Sequence, residues 1–305
     1  MTRSANLRRA FGWTAALAAL HVAWYGFSVG GEAGVRIFGD VFPIPIVFGV
    51  GALCWRASRR FDGRERRGWK LLGAAAASWG CGEIVWTVCE FALHQRTPFP
   101  SFADLGFLGM IPLAAAAVLS LSTPMRAAVR LRTVLDSLII GGSVLFVGWM
   151  SVLGPTLHEG GSTIAERAIG TAYPLGDIVI IAIVLFTTRG RGRERAPVGL
   201  LGAGLACLAF SDSGFIYLTQ HGRYDTGNMI DVGWTLGFCL LGIAAVAAKP
   251  SAVAPAAPDD HDEFPTLVPF AATFVAILAA AIEELVHQHL GPFLFWTRSS
   301  SSACC

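Results

Sequence analysis

The chain has 305 residues, of which 54% are hydrophobic and only 14% charged, whereas soluble domains carry about a quarter charged residues. A formal net charge of +2 is too small for nucleic-acid binding, and the basic residues fall in short clusters between apolar runs. A mean hydropathy of +0.57 exceeds what one water-soluble core can hide. The expected fold class is therefore all-α, a polytopic transmembrane helical bundle whose first partner is the lipid bilayer.

A spanning helix needs about 20 mostly apolar residues. Runs of that kind lie near 11–29, 40–56, 69–93, 103–122, 133–153, 171–188, 198–219, 229–248 and 267–290, which predicts about nine helices. The first run follows Arg3, Arg8 and Arg9 like a signal peptide, yet it is long, carries Trp24 and Tyr25 at its far end and lacks a small-residue cleavage site. It reads as a retained helix. The second is short and holds Pro43 and Pro45, which predicts a tilted, kinked or partly re-entrant segment. Lysines and arginines counted segment by segment run 3, 1, 7, 1, 3, 1, 4, 1, 1 and 1. High and low values alternate as the positive-inside rule requires, which places the N-terminus in the cytoplasm. Arginine outnumbers lysine 21 to 2, a bias typical of a GC-rich bacterial genome, so the expected location is a bacterial plasma membrane.

The predicted organisation is an eight-helix membrane domain over 1–248, a Pro/Ala-rich acidic cytoplasmic linker over 249–266, and a ninth helix with an irregular tail over 267–305. The tail begins like another apolar segment and then enters a serine run. It reads as a truncated or frameshifted end.

Ionisable residues inside apolar spans are costly, about 2.5–3.5 kcal/mol each at mid-helix. Seven stand out: Glu83 and Glu90 in the third run, Asp104 opening the fourth, Asp136 in the fifth, Asp177 in the sixth, Asp212 in the seventh and Asp231 opening the eighth. With the N-terminus inside, all but Asp136 fall in the outer half of the membrane or at its outer edge. Glu83 and Glu90, seven apart, share a helix face with Trp86 between them. The functional expectation is an outward-facing acidic pocket formed by Glu83, Trp86, Glu90, Asp104, Asp177, Asp212 and Asp231, binding a cation, a basic ligand or protons.

A structural reading competes for part of this set. Ser101 with Asp104, and Asn228 with Asp231, have capping-box spacing, and Pro174 with Asp177 resembles a helix start. Glu83 and Asp212 lie too deep for capping, which leaves a site or an interhelical polar lock. Glu90, Glu283 and Glu284 lie near helix ends and can reach water.

Small residues recur at four-residue spacing: Ala74, Ser78 and Gly82; Gly199 and Ala203; Gly233 and Gly237. Such stripes let backbones approach closely, within one bundle or across a homodimer. His21 shares a face with Tyr25, and His287 and His289 point apart; each reads as a packing or interfacial residue. Seven cysteines form no CxxC pair and no Cys/His metal spacing, so no metal, cofactor or disulfide framework is expected. Phosphate-loop and HExxH motifs are absent, and no enzyme activity is expected.

Four ordered segments carry a resemblance. They are Pro100-Ser101-Phe102-Ala103-Asp104 with Phe107-Leu108 and Pro112-Leu113; Arg132-x-x-Leu135-Asp136-Ser137-Leu138; Tyr173-Pro174-Leu175-Gly176-Asp177; and Asp231-Val232-Gly233-Trp234. Over roughly residues 10–290 this set resembles the multi-helix membrane domains of actinobacterial cyclic-di-GMP signalling proteins. In those proteins the membrane region precedes GGDEF-type diguanylate cyclase domains, often with EAL-type phosphodiesterase domains. The resemblance implies a sensory or input module. No GGDEF or EAL segment occurs in this sequence; Asp260-His261-Asp262-Glu263-Phe264 is a near-match within the linker only. The competing expectation is a small cation- or proton-coupled transporter that uses the same outer acids. The ligand is unspecified on either reading.

Overall fold

The computed structural model describes residues 3–92, 100–121, 163–188, 195–220 and 222–250, with residues 139, 142, 143 and 146. These residues form eight helices and no strand: α1 (Arg3–Gly26), α2 (Gly31–Val41), α3 (Pro43–Ser58), α4 (Gly63–Ala92), α5 (Ala103–Leu121), α6 (Ile164–Thr188), α7 (Arg195–Gln220) and α8 (Asp231–Ala247). Four stretches are long and apolar enough to cross a membrane: Gly31–Ser58, Gly63–Phe91, Ala103–Leu121 and Ala196–Thr219. Asp231–Ala247 is a shorter apolar helix. The expected runs at 133–153 and 267–290, the linker from 251 onward, Asp136, Glu283, Glu284, His287 and His289 lie outside the described residues.

The second apolar segment is longer than its sequence suggests. The expected run begins at 40, and residues 31–39 before it carry Glu32, Arg36 and three glycines; in the structure residues 31–41 form α2 and run on into α3. Phe42 keeps helical dihedrals (φ −61°, ψ −38°) and donates its N–H to the Phe38 carbonyl, while Pro43 takes the first position of α3. Proline is tolerated there because that N–H has no helical acceptor. A second difference concerns Pro174. It lies inside α6 and does not start a helix, so Asp177 is mid-helix and does not cap.

Helices α3 to α8 each pack on the next, and α8 packs back on α3, closing a ring. Helix α1 lies against α8, and α2 touches both α3 and α4. The interior is apolar: Val47, Cys54, Leu72, Trp79, Ala114, Leu205, Phe238 and Leu241 are buried there. Phe102, Leu105, Phe210 and Trp13 point outward and are largely exposed, as expected where lipid covers the surface. Lipid and core are equally apolar, so close packing holds such helices together. At the α4–α5 crossing, a Cβ on Gly106 would lie 2.5 Å from the Gly82 nitrogen and 2.7 Å from the Ser78 carbonyl oxygen. Ser78 Oγ donates to the Gly106 carbonyl at 2.8 Å across the same crossing.

The two ends of the ring differ in charge. At one end lie Arg56, Arg59, Arg60, Arg64, Arg66, Arg67 and Lys70, around the turn between α3 and α4. Arg60 donates to the carbonyls of Ala245 (2.6 Å) and Ala248 (3.3 Å) at the end of α8, and Arg64 to that of Leu119 (2.9 Å) near the end of α5. Guanidinium groups placed there donate to carbonyls near the ends of two helices and oppose the negative ends of their dipoles. The opposite end holds the C-terminal half of α4 and the N-termini of α5 and α8, and it is acidic.

Candidate functional site

At the acidic end the ring encloses a cavity with about 60 Å³ of space for the centre of a water-sized sphere, room for about four waters. Its wall draws on almost every element. Gly39 and Asp40 come from α2, Pro43 from α3, and Trp79, Glu83 and Trp86 from one face of α4. Helices α5 and α6 add Asp104, Phe107 and Tyr173. The rest is Asp212 and Phe215 of α7, Tyr224 and Thr226 of the α7–α8 connection, and Asp231 and Trp234 of α8. Among the described residues the wall thus carries five carboxyl groups and no lysine, arginine or histidine.

A local rule generates most of this wall. In four helices an acid is followed three residues later by an aromatic: Glu83–Trp86, Asp104–Phe107, Asp212–Phe215 and Asp231–Trp234. Positions three apart lie on one helix face, so each helix presents a carboxyl and a ring to the same space. The rings adjoin one another, with centroids 4.7 Å apart for Trp79–Phe107, 6.1 Å for Trp79–Trp234, 5.9 Å for Phe215–Trp234 and 6.2 Å for Trp86–Phe215.

Neutral donors hold the carboxyls in place. Trp79 Nε1 donates to Glu83 Oε1 at 2.9 Å, and Trp234 Nε1 to Asp212 Oδ1 at 2.7 Å. Tyr173 Oη donates to Asp104 Oδ1 at 2.5 Å. Asp231 accepts from Tyr25 Oη (3.2 Å), Tyr224 Oη (3.1 Å) and the Gly227 N–H (3.0 Å). The last contact needs Gly227 at φ +102°, in the left-handed region that favours glycine. Burial and the Asp231 carboxyl beside it hold the Tyr224 hydroxyl well above the ordinary tyrosine value, so it stays a donor. Buried carboxyls need such partners because a lost hydrogen bond leaves the full desolvation cost. Asp177 Oδ2, in a residue 7% exposed, lacks one, and Asp40, 2% exposed, has the Glu90 carboxyl within hydrogen-bonding reach.

Among the residues singled out in the sequence, Glu83, Trp86, Asp104, Asp212 and Asp231 share this wall. Asp177 lines a smaller adjoining space, together with Asp212, Trp79, Phe107 and Tyr173. Glu90 is not on the wall; its carboxyl lies close enough to that of Asp40 for the two to act on each other. Capping and lining coincide at two residues. Asp104 Oδ2 accepts from the Ser101 N–H (2.6 Å) while Ser101 Oγ accepts from the Ala103 N–H (3.2 Å), the reciprocal box that its spacing suggests. At α8, Asn228 Oδ1 accepts from the Ile230 N–H at 3.2 Å.

The small-residue stripes divide. Ser78 and Gly82 meet α5, and Gly233 and Gly237 meet α7. Ala74, Gly199 and Ala203 face outward, and it is Gly204 that packs against Gly237. The stripe on α7 was placed one position off because four-residue spacing alone does not say which face meets a neighbour.

Sequence reasoning missed Asp40, Tyr25, Tyr173 and Tyr224. The acid–x–x–aromatic repeat was the available signal for the wall, but none of these four belongs to it. His21 is fully buried beneath Tyr25, 4.5 Å between ring centroids, with its Nδ1 3.0 Å from Thr235 Oγ1; this is the packing role its spacing suggested. Among the described residues no group of His, Cys, Asp or Glu is arranged to hold a metal ion. No known protein family, characterised protein or solved structure matches this chain.

Proposed function

We propose that the chain is a multi-pass plasma-membrane input module whose acidic cavity, opening to the extracytoplasmic side, binds a cationic signal. One observation carries the reading: five carboxyls from α2, α4, α5, α7 and α8 converge on one cavity whose wall, among the described residues, holds no positive side chain. Groups of that kind are expensive in a membrane and are kept where they bind or conduct something. A bound cation would supply the missing charge. The basic turn at the other end agrees with an N-terminus in the cytoplasm.

Signal transmission would run through α2. Its contacts reach the cavity and α1 together: Thr87 Oγ1 donates to the Asp40 carbonyl (3.1 Å), and Phe38 stacks on Trp24 with centroids 4.5 Å apart. Movement of Asp40 towards a ligand would therefore shift α1 and its cytoplasmic N-terminus. The output is the cyclic-di-GMP chemistry that the resemblance implies, performed by a separate catalytic domain. The gene tests this part: a GGDEF-type coding frame beside it supports the assignment, and its absence removes it.

A second reading has one observation in its favour. Pro43, at the α2–α3 junction, lies on the cavity wall, where ion-coupled carriers place the irregular points of spanning helices. Proteoliposomes holding the purified chain separate the two readings. An input module binds labelled cation without accumulating it, whereas uptake above protein-free liposomes that disappears in Glu83→Gln establishes a carrier.

A further inference from the structure

We infer that the occupant of this cavity is a small organic ammonium ion held by an aromatic cage and carboxyl groups. The inference rests on the cation-binding reading above and specifies the ligand class. It starts from the rings, which five dispersed carboxyls do not need. Phe107, Trp79, Trp234, Phe215 and Trp86 follow one another around the wall with centroid separations of 4.7–6.2 Å. They are tilted against one another by 51–76°, and a ring face that borders the cavity attracts a cation through its quadrupole, most strongly for tryptophan and for ligands that have shed water.

Two further observations favour an organic cation over a bare metal ion. A metal needs several oxygen donors converging at about 2–2.6 Å, and no such group exists among the described residues. The carboxyls are spread among the rings, and Glu83, Asp104, Asp212 and Asp231 already accept from a tryptophan or tyrosine. Such a wall suits a diffuse charge on a methylated or alkyl ammonium. The second observation is Asp40. Its carboxyl is buried on the cavity wall, and a neighbour within hydrogen-bonding reach of it is another acid, Glu90; two acids held together gain from a cation beside them. A ligand ammonium group beside Asp40 would supply that charge. The cavity suits an ion of tetramethylammonium or choline size, free or as the headgroup of a choline lipid.

The test uses the full chain in phosphatidylglycerol nanodiscs and follows thermal unfolding against added tetramethylammonium, choline, the uncharged carbon isostere of choline, sodium and magnesium. Ligand that binds only the folded state raises the midpoint saturably. The expected result is stabilisation by both ammonium ions at matched ionic strength and none by the isostere. Trp86→Leu should weaken the apparent affinity roughly tenfold or more, and Trp86→Phe should keep most of it. If either variant fails to fold, competition by tetramethylammonium against a labelled choline on the unaltered chain reads the same site. Discs containing phosphatidylcholine identify the source: a midpoint already raised there and unmoved by free choline indicates the lipid headgroup. Saturable stabilisation by magnesium or sodium with none by ammonium overturns the ligand class and leaves the cation site standing. No response to any cation overturns both. Equal ammonium affinity in Trp86→Leu overturns the cage.

Discussion

Gly106→Ala tests the crossing on which the site is built. Gly82 and Gly106 let α4 and α5 approach closely enough to bring Glu83 and Asp104 to one cavity. The added Cβ would lie 2.5 Å from the Gly82 nitrogen, 2.7 Å from its Cα and 2.7 Å from the Ser78 carbonyl oxygen. All three are backbone atoms, so no side chain can swing aside and the helices must part. Overpacking of this kind costs about 1–3 kcal/mol, and losing the Ser78–Gly106 hydrogen bond adds about 1 kcal/mol. The intrinsic helix preference of alanine returns about 1 kcal/mol, leaving a net loss of about 1–3 kcal/mol. That corresponds to a midpoint lowered by roughly 3–8 °C, read by circular dichroism of the detergent-solubilised protein. Gly199→Ala is the control, because a Cβ there meets nothing within 4 Å; it should hold or raise the midpoint. A Gly106→Ala midpoint equal to that of Gly199→Ala would refute the close α4–α5 crossing.

Three other outcomes follow from the same contacts. Tyr25→Phe and Tyr224→Phe each remove one donor to Asp231 and should each cost about 1 kcal/mol. The double variant should depart from additivity because both act on one carboxyl; denaturant titration of all three checks this. Trp234→Phe keeps a ring but loses the 2.7 Å bond to Asp212; a loss of about 1–2 kcal/mol is expected, with near-ultraviolet dichroism otherwise retained. Arg60→Ala removes the donors to the end of α8 and should cost about 1 kcal/mol, partly restored by Arg60→Lys; thermal unfolding in low and high salt measures both.

Much of the site was legible in the sequence because charge inside an apolar run is conspicuous. Glu83 and Asp212 could be singled out from position alone, and the capping boxes at Ser101 and Asn228 could be read from spacing. The rest was hidden for specific reasons. Asp40 sits at the very start of the second apolar run, behind a stretch with two charges and three glycines, so nothing in its position marked it as buried. Pro174 suggested a helix start, yet α6 runs from Ile164 through it; a local signal was overridden by packing against α5 and α7. Tyr25, Tyr173 and Tyr224 are ordinary aromatic residues in sequence. The roles of Tyr25 and Tyr173 as donors to Asp231 and Asp104 depend on contacts between residues far apart in the chain, and that of Tyr224 on the fold of the α7–α8 connection. The closure of α3 to α8 into a ring likewise depends on which helices meet, which hydropathy does not encode.

The most direct test of the central claim is cysteine accessibility. In a chain whose seven cysteines are replaced, Glu83→Cys, Phe215→Cys and Arg64→Cys are exposed one at a time to a membrane-impermeant quaternary-ammonium thiol reagent on intact cells. The account predicts that Glu83→Cys and Phe215→Cys react from outside, faster than with an anionic reagent of similar size, and that Arg64→Cys reacts only after permeabilisation. Unreactive cysteines at 83 and 215, or reaction at those positions only from the cytoplasmic side, would contradict an outward-opening cation cavity.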